Sequence, residues 1–143
     1  VEGEKLSQDV SSRVDTIETT VGRVEAQSPQ TVEAYRQRLE AKMQEVLQST
    51  TIDESRIITE AAIFADKVAV DEETVRLHSH IAQLRDMLQS SEPVGRKLDF
   101  LIQEVNRECN TIGSKCNDLN VARDVVNMKA EVEKIREQVQ NME

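Results

Sequence analysis

Val121, Val125, Met128, Val132, Ile135, Val139 and Met142 step by four and three residues through three heptads. This spacing constrains the chain more than any other feature. An apolar stripe of that period lies along one side only on an α-helix, and a lone helix cannot hide it from water, so another helix must cover it. Val10, Val14, Ile17, Val21 and Val24 repeat the pattern near the other end, and Leu77, Ile81, Leu84 and Leu88 repeat it in the middle. With 4 Gly and 2 Pro in 143 residues there is little material for the turns of a many-stranded sheet. With two Phe, one Tyr and no Trp, aliphatic side chains must do the burying. The prediction is an all-α fold in which amphipathic helices form an oligomeric helical bundle with a coiled-coil hairpin or arm.

Local signals divide these helices. Ser28-Pro29 reads as a cap followed by Pro at a first helical position, so a helix restarts or kinks there. A second stripe, Val32, Tyr35, Leu39, Met43 and Val46, ends at Ser49-Thr50-Thr51. Residues 1–51 are therefore expected to form a helical hairpin or arm, and residues 52–143 a second helical domain. Asp53 is a cap for a helix in which Ile57, Ile58 and the run from Ala61 to Ala65 leave little polar surface, which predicts a buried helix. Asp71 is expected to cap the next, with Glu72 and Glu73 near its N-terminal dipole. "SSEPVG" (90–95) ends that helix, another starts near Pro93 and loosens around Gly113, and Asp118 or Asn120 opens the last.

Several function classes are excluded. No apolar run approaches the roughly 18 residues of a membrane span and no charged-then-apolar leader opens the chain, so a soluble, cytoplasmic protein without membrane partners is expected. The chain opens on Val in what reads as mid-helix, as a piece of a longer protein would. A net charge of −9 argues against indiscriminate nucleic-acid binding. The charge is uneven: residues 1–60 hold 7 basic and 12 acidic side chains, whereas residues 93–143 hold 8 and 9, so an anionic partner would meet the last third. Cys109 and Cys116 lie seven apart on one predicted helix, about 10 Å at ~1.5 Å per residue, beyond the ~7 Å a disulfide tolerates; they read as reduced thiols. No Ser-His-Asp order, glycine-rich phosphate loop, EF-hand or metalloprotease motif occurs.

The stretch "DFLIQEVNRECNTIGSKCND" (99–118) is unusual. Leu98, Ile102, Val105, Cys109 and Ile112 form its seam, while Asp99, Gln103, Asn106, Asn110, Ser114 and Asn117 lie along another face. Carboxamides donate and accept, so such a face suits a nucleotide or a neighbouring helix. Glu104 and Glu108, one turn apart, can share a divalent cation, and Arg96, Arg107 and Lys115 nearby can hold phosphate oxygens, as cation-assisted phosphodiester cleavage requires. In "RLHSH" (76–80), His78 and His80 point to different faces and cannot jointly hold a metal without help from other residues. His80 is either a satisfied, half-buried histidine or a general acid or base. In "EAAIFADK" (60–67), Glu60 and Asp66 are second candidates for the cation, against the alternative of ion pairs at the helix edge.

"EAAIFADK", "RLHSHIAQL", "PVGRKLDFLIQEVNRECNTIGSKCND" and "MKAEVEKIREQVQN" together resemble, in that order, the C-terminal region of the YicC/YloC family of bacterial endoribonucleases. The resemblance implies a metal-dependent enzyme that cuts single-stranded RNA internally, takes part in bacterial stress and small-RNA regulation, and assembles into a ring- or clamp-like homo-oligomer, a hexamer when full length. It also implies that a domain precedes Val1. For such an activity, the reading of the residues above assigns Glu104 and Glu108 to Mg²⁺ or Mn²⁺, His80 to proton transfer, Arg96, Lys97, Arg107 and Lys115 to phosphate, and Gln103, Asn106 and Asn110 to ribose or base; no DNA partner is expected. His78, Cys109 and Cys116 depart from the family pattern, which weakens any special role for them. The rival readings are a helical oligomerisation or adaptor module without an active site, and an RNA-binding clamp that delivers RNA to other nucleases.

Overall fold

The heptad stripes decide which helices meet. A computed structural model describes residues 2–47, 53–89, 95–116 and 118–142. They form α1 (Glu2–Leu47), α2 (Glu54–Val68), α3 (Asp71–Gln89), α4 (Gly95–Lys115) and α5 (Leu119–Met142), with no strand among the described residues. The N-terminal part of α1 packs on α5 and α3, α5 packs on α4, and α4 on α3, which closes a four-helix ring. Its core is the predicted seams: Val10 to Val24 of α1, Leu77, Ile81 and Leu84 of α3, Leu98, Ile102, Val105, Cys109 and Ile112 of α4, and Val121 to Val139 of α5. The Met142 and Asn117 side chains, Pro93, Ser49-Thr50-Thr51 and most of "SSEPVG" lie outside the described residues.

Charge fixes how α1 lies on its neighbours. Arg13 Nη1 donates to Glu131 of α5 at 2.9 Å, Arg85 of α3 reaches Asp15 and Glu18, and His78 of α3 meets Glu25 at 2.8 Å. Pairs that are exposed or only partly buried contribute about 0–1 kcal/mol each, so the buried stripe holds the helix and the pairs set its register.

Three expectations are corrected. First, α1 runs unbroken from Glu2 to Leu47 with Pro29 inside it, so no helix restarts at Ser28-Pro29 and, of the hairpin and arm alternatives, no hairpin turn stands there. An interior Pro removes one helical bond and costs about 3 kcal/mol. Packing on both sides offsets that cost: Val24 is buried in the bundle, and Tyr35 stacks on Phe64 of α2 with ring centroids 3.9 Å apart. Secondly, α2 is not a buried helix. It packs on α1, burying Ile57 and Ala61, while Ile58 and Ile63 remain 64% and 53% exposed. Thirdly, Asp71 stands inside the first turn of α3; the Val70 carbonyl at the cap position accepts from Thr74 N–H at 2.9 Å. Asp53 and Asp118 do cap as expected, accepting from Ser55 N–H and Val121 N–H at 3.0 Å. No described helix is long and apolar enough to cross a membrane.

Candidate metal centre

Glu73, Arg76 and His80 follow one another at three and four residues, so they share a face of α3; Glu104, Glu108 and Lys115 share a face of α4. The two faces meet in antiparallel register as a polar ladder. Lys115 Nζ donates to Glu73 Oε1 at 2.7 Å and to the Ala69 carbonyl at 3.2 Å. Arg76 Nε donates to Glu108 Oε1 at 2.9 Å. At the far end, ligand atoms of His80, Glu104 and Glu108 lie within 4.8 Å of one another. The Leu77, Ile81, Leu84, Leu101, Val105 and Ile112 packing beneath holds the helices close enough for the ladder to close.

Burial takes the carboxylates of this ladder away from water. Glu73 and Glu108 are 3% and 5% exposed. Glu73 Oε2, Glu108 Oε2 and both ring nitrogens of His80 are buried without a hydrogen-bond partner among the described residues. Buried polar atoms are nearly always paired, so the three orphans of His80 and Glu108, gathered at one end of the ladder, mark a place built for something else. One imidazole and two carboxylates are a donor set that suits a small divalent ion. The residues therefore fit the cation expected from sequence, with His80 joining Glu104 and Glu108 as a ligand candidate.

Electrostatics at the other end of the ladder differ. Burial pushes the Glu73 carboxyl upward, but the Lys115 bond, the backbone and the charges of Lys115 and Arg76 outweigh it and hold the group below its ordinary value. Lys115, expected from sequence to meet phosphate, is paired with Glu73 in this structure. Glu60 pairs with Arg56 at 3.1 Å, and Asp66 is exposed; neither joins a metal-sized cluster among the described residues. Burial pushes the Cys109 thiol up to about 12, so it remains protonated and packs as a core side chain. Cys116 is likewise free.

The amide face of α4 is open. Gln103 and Asn110 are exposed and Asn106 is half-buried, with Gln103 donating to Asp99 at 3.2 Å. Arg96, Lys97 and Arg107 are exposed as well. Arg107 stands three residues after Glu104, between the amide face and the centre. Sequence reasoning missed Glu73 and Arg76. Their signal was the three-and-four spacing they share with His80, which makes them a second polar stripe beside the Leu77 seam.

Residues 24–143 match the family model described as endoribonuclease YicC-like, C-terminal. The chain belongs to the YicC-like family. It is 48% identical over 143 residues to the "Probable endoribonuclease YicC" of Clostridioides difficile (strain 630), covering 99% of this chain and 49% of that protein. It is 35% identical over 142 residues to the protein of the same name from Haemophilus influenzae (strain Rd), with the same two coverages. The chain thus spans about half the length of the YicC relatives it matches, and that half is the C-terminal region by the family model.

Proposed function

We propose that this chain carries the cation centre and an RNA-contacting face of a metal-dependent endoribonuclease that cleaves single-stranded RNA, and that copies of it assemble into a homo-oligomer. The observation that carries the reading is the meeting of His80, Glu104 and Glu108, with buried unpartnered atoms, in a member of the YicC-like family. When bound there, Mg²⁺ or Mn²⁺ would offset the charge of a phosphodiester and polarise its P–O bond. The chain's own residues supply the rest. Arg107, beside Glu104, and Arg96 and Lys97 on the first turn of α4 hold phosphate oxygens, and they do so in water-accessible positions, where their role is attraction and register. Gln103, Asn106 and Asn110 offer both donors and acceptors to ribose hydroxyls and base edges. His80 either ligates or moves a proton; its two unpartnered nitrogens leave both roles open to it.

The reading is tested by fluorescence anisotropy with labelled single-stranded RNA. The chain is expected to bind it, and joint replacement Arg96→Ala and Arg107→Ala should weaken binding across RNA sequences. Each lost phosphate contact changes the slope of log affinity against log salt by ~0.7 for a single strand, so the double variant should be shallower by about 1.4. Unchanged affinity and slope would remove α4 from the RNA path.

A further inference from the structure

The ladder between α3 and α4 holds a residue that touches the proposed centre without belonging to it. Arg76 lies four residues before His80 and three after Glu73. Its Nε donates to one oxygen of Glu108, and its Nη2 stands 3.8 Å from Glu73 Oε1. Glu108 is therefore held on one side only: Oε1 is engaged, and Oε2 is buried with no partner among the described residues.

We propose that Arg76 is the positioning residue of the cation centre: it fixes the Glu108 carboxylate by Oε1 so that Oε2 is presented to the ion, and the Glu73–Lys115 pair holds Arg76 in turn. This rests on the reading of His80, Glu104 and Glu108 as ligands. Two physical effects oppose each other at Arg76. Its positive charge repels a cation bound nearby, which would weaken binding. Against this, a ligating carboxylate needs its second oxygen fixed by an outer hydrogen bond, and losing such a partner commonly costs 10- to 100-fold in metal affinity. Orientation prevails for two reasons visible in the ladder. The three carboxylates Glu73, Glu104 and Glu108 outnumber Arg76 and Lys115, so the guanidinium charge is already offset. Without Arg76, moreover, a carboxylate that is 5% exposed has no partner, and it gains by turning toward water and away from the ion.

The guanidinium is needed for its shape as well as its charge. It can donate to Glu108 with Nε while its terminal nitrogens stay near Glu73 and Glu72. A lysine ammonium is a point donor and cannot span these three carboxylates in the same way.

The test is titration of the chain with Mn²⁺ alone, followed by calorimetry, for the parent, Arg76→Met, Arg76→Lys and Glu108→Gln, with cooperative thermal melting confirming that each is folded. Arg76→Met is expected to raise the Mn²⁺ dissociation constant 10- to 100-fold, and Arg76→Lys to fall between it and the parent. Arg76→Met binding as tightly as the parent, or more tightly, would overturn the positioning role while leaving the centre in place. Should Arg76→Met fail to fold, Arg76→Lys decides alone: weakening supports the role and parental affinity overturns it. If the parent and Glu108→Gln take up Mn²⁺ equally, or neither does, the centre itself fails and the role of Arg76 with it.

Discussion

Replacing Glu108 by Gln is expected to lower the affinity of the chain for Mn²⁺ by at least about 100-fold and to abolish any cation-dependent cleavage of single-stranded RNA. The magnitude follows from a comparison: loss of an outer partner of a metal ligand costs roughly 10- to 100-fold, and loss of a charged ligand removes more. The amide keeps the shape of the side chain and can still accept from Arg76 Nε, so the α3–α4 packing is preserved. What it loses is the anionic oxygen: with its carbonyl accepting from Arg76, it turns its amide NH2, a donor that cannot ligate a cation, toward His80 and Glu104. Glu60→Gln is the control. That residue pairs with Arg56 on α2, away from the ladder, and its replacement should leave Mn²⁺ affinity unchanged. Calorimetric titration reads both variants, and equal affinities for all three proteins would contradict the account.

Lys115→Met should destabilise the chain by about 2–3 kcal/mol at neutral pH. Removing one partner of a buried ion pair costs roughly 3–5 kcal/mol, because the other charge stays behind in a dry site. Here the figure is reduced, since Lys115 is a third exposed and Arg76 remains 3.8 Å from the same Glu73 oxygen. For a chain of this size the loss corresponds to a fall in Tm of about 5–12 °C. Adding Glu73→Gln to Lys115→Met should recover part of it, since the stranded charge is then gone. The pH dependence has a definite sign. The folded pKa of Glu73 is held below the unfolded value near 4.3, so the stabilisation by its carboxylate is complete above about pH 4.3 and is lost as the pH falls through the lowered folded value. Parent stability should therefore drop on acidification below that point, and Lys115→Met should show a smaller drop. Urea melts at a series of pH values check both statements, and a variant as stable as the parent at pH 7 would contradict them.

The parts of the fold legible in the sequence were those governed by helical period. Val10 to Val24, Leu77 to Leu84 and Val121 to Val139 read as buried stripes and are buried, because a stripe declares its own helix regardless of its partner. Pro29 misled because its cost is local whereas the packing that offsets it comes from Val24 and Tyr35 on either side. In α2, composition suggested burial, but the extent of burial depends on how many helices are near, and α1 is the one that α2 packs on. In the candidate site, Glu104 and Glu108 were legible as a pair one turn apart. His80, 24 residues before Glu104, was expected in the same site as a proton carrier; that a ring nitrogen of it comes within ligand distance of both carboxylates was not legible, since no local rule links helices that face each other. For the same reason Lys115 looked like a free cation beside an amide-rich face: its partner Glu73 is 42 residues away in the chain. The amide face itself was legible, and it stays open to solvent at Gln103 and Asn110.

The central claim is that His80, Glu104 and Glu108 form a cation site. Anomalous diffraction from crystals of the chain grown with Mn²⁺ tests it most directly. The account predicts one strong anomalous peak between α3 and α4, within about 2.0–2.6 Å of a His80 nitrogen and of oxygens from both glutamates. Manganese bound elsewhere, with His80 and Glu108 filled by protein partners or water alone, would contradict it.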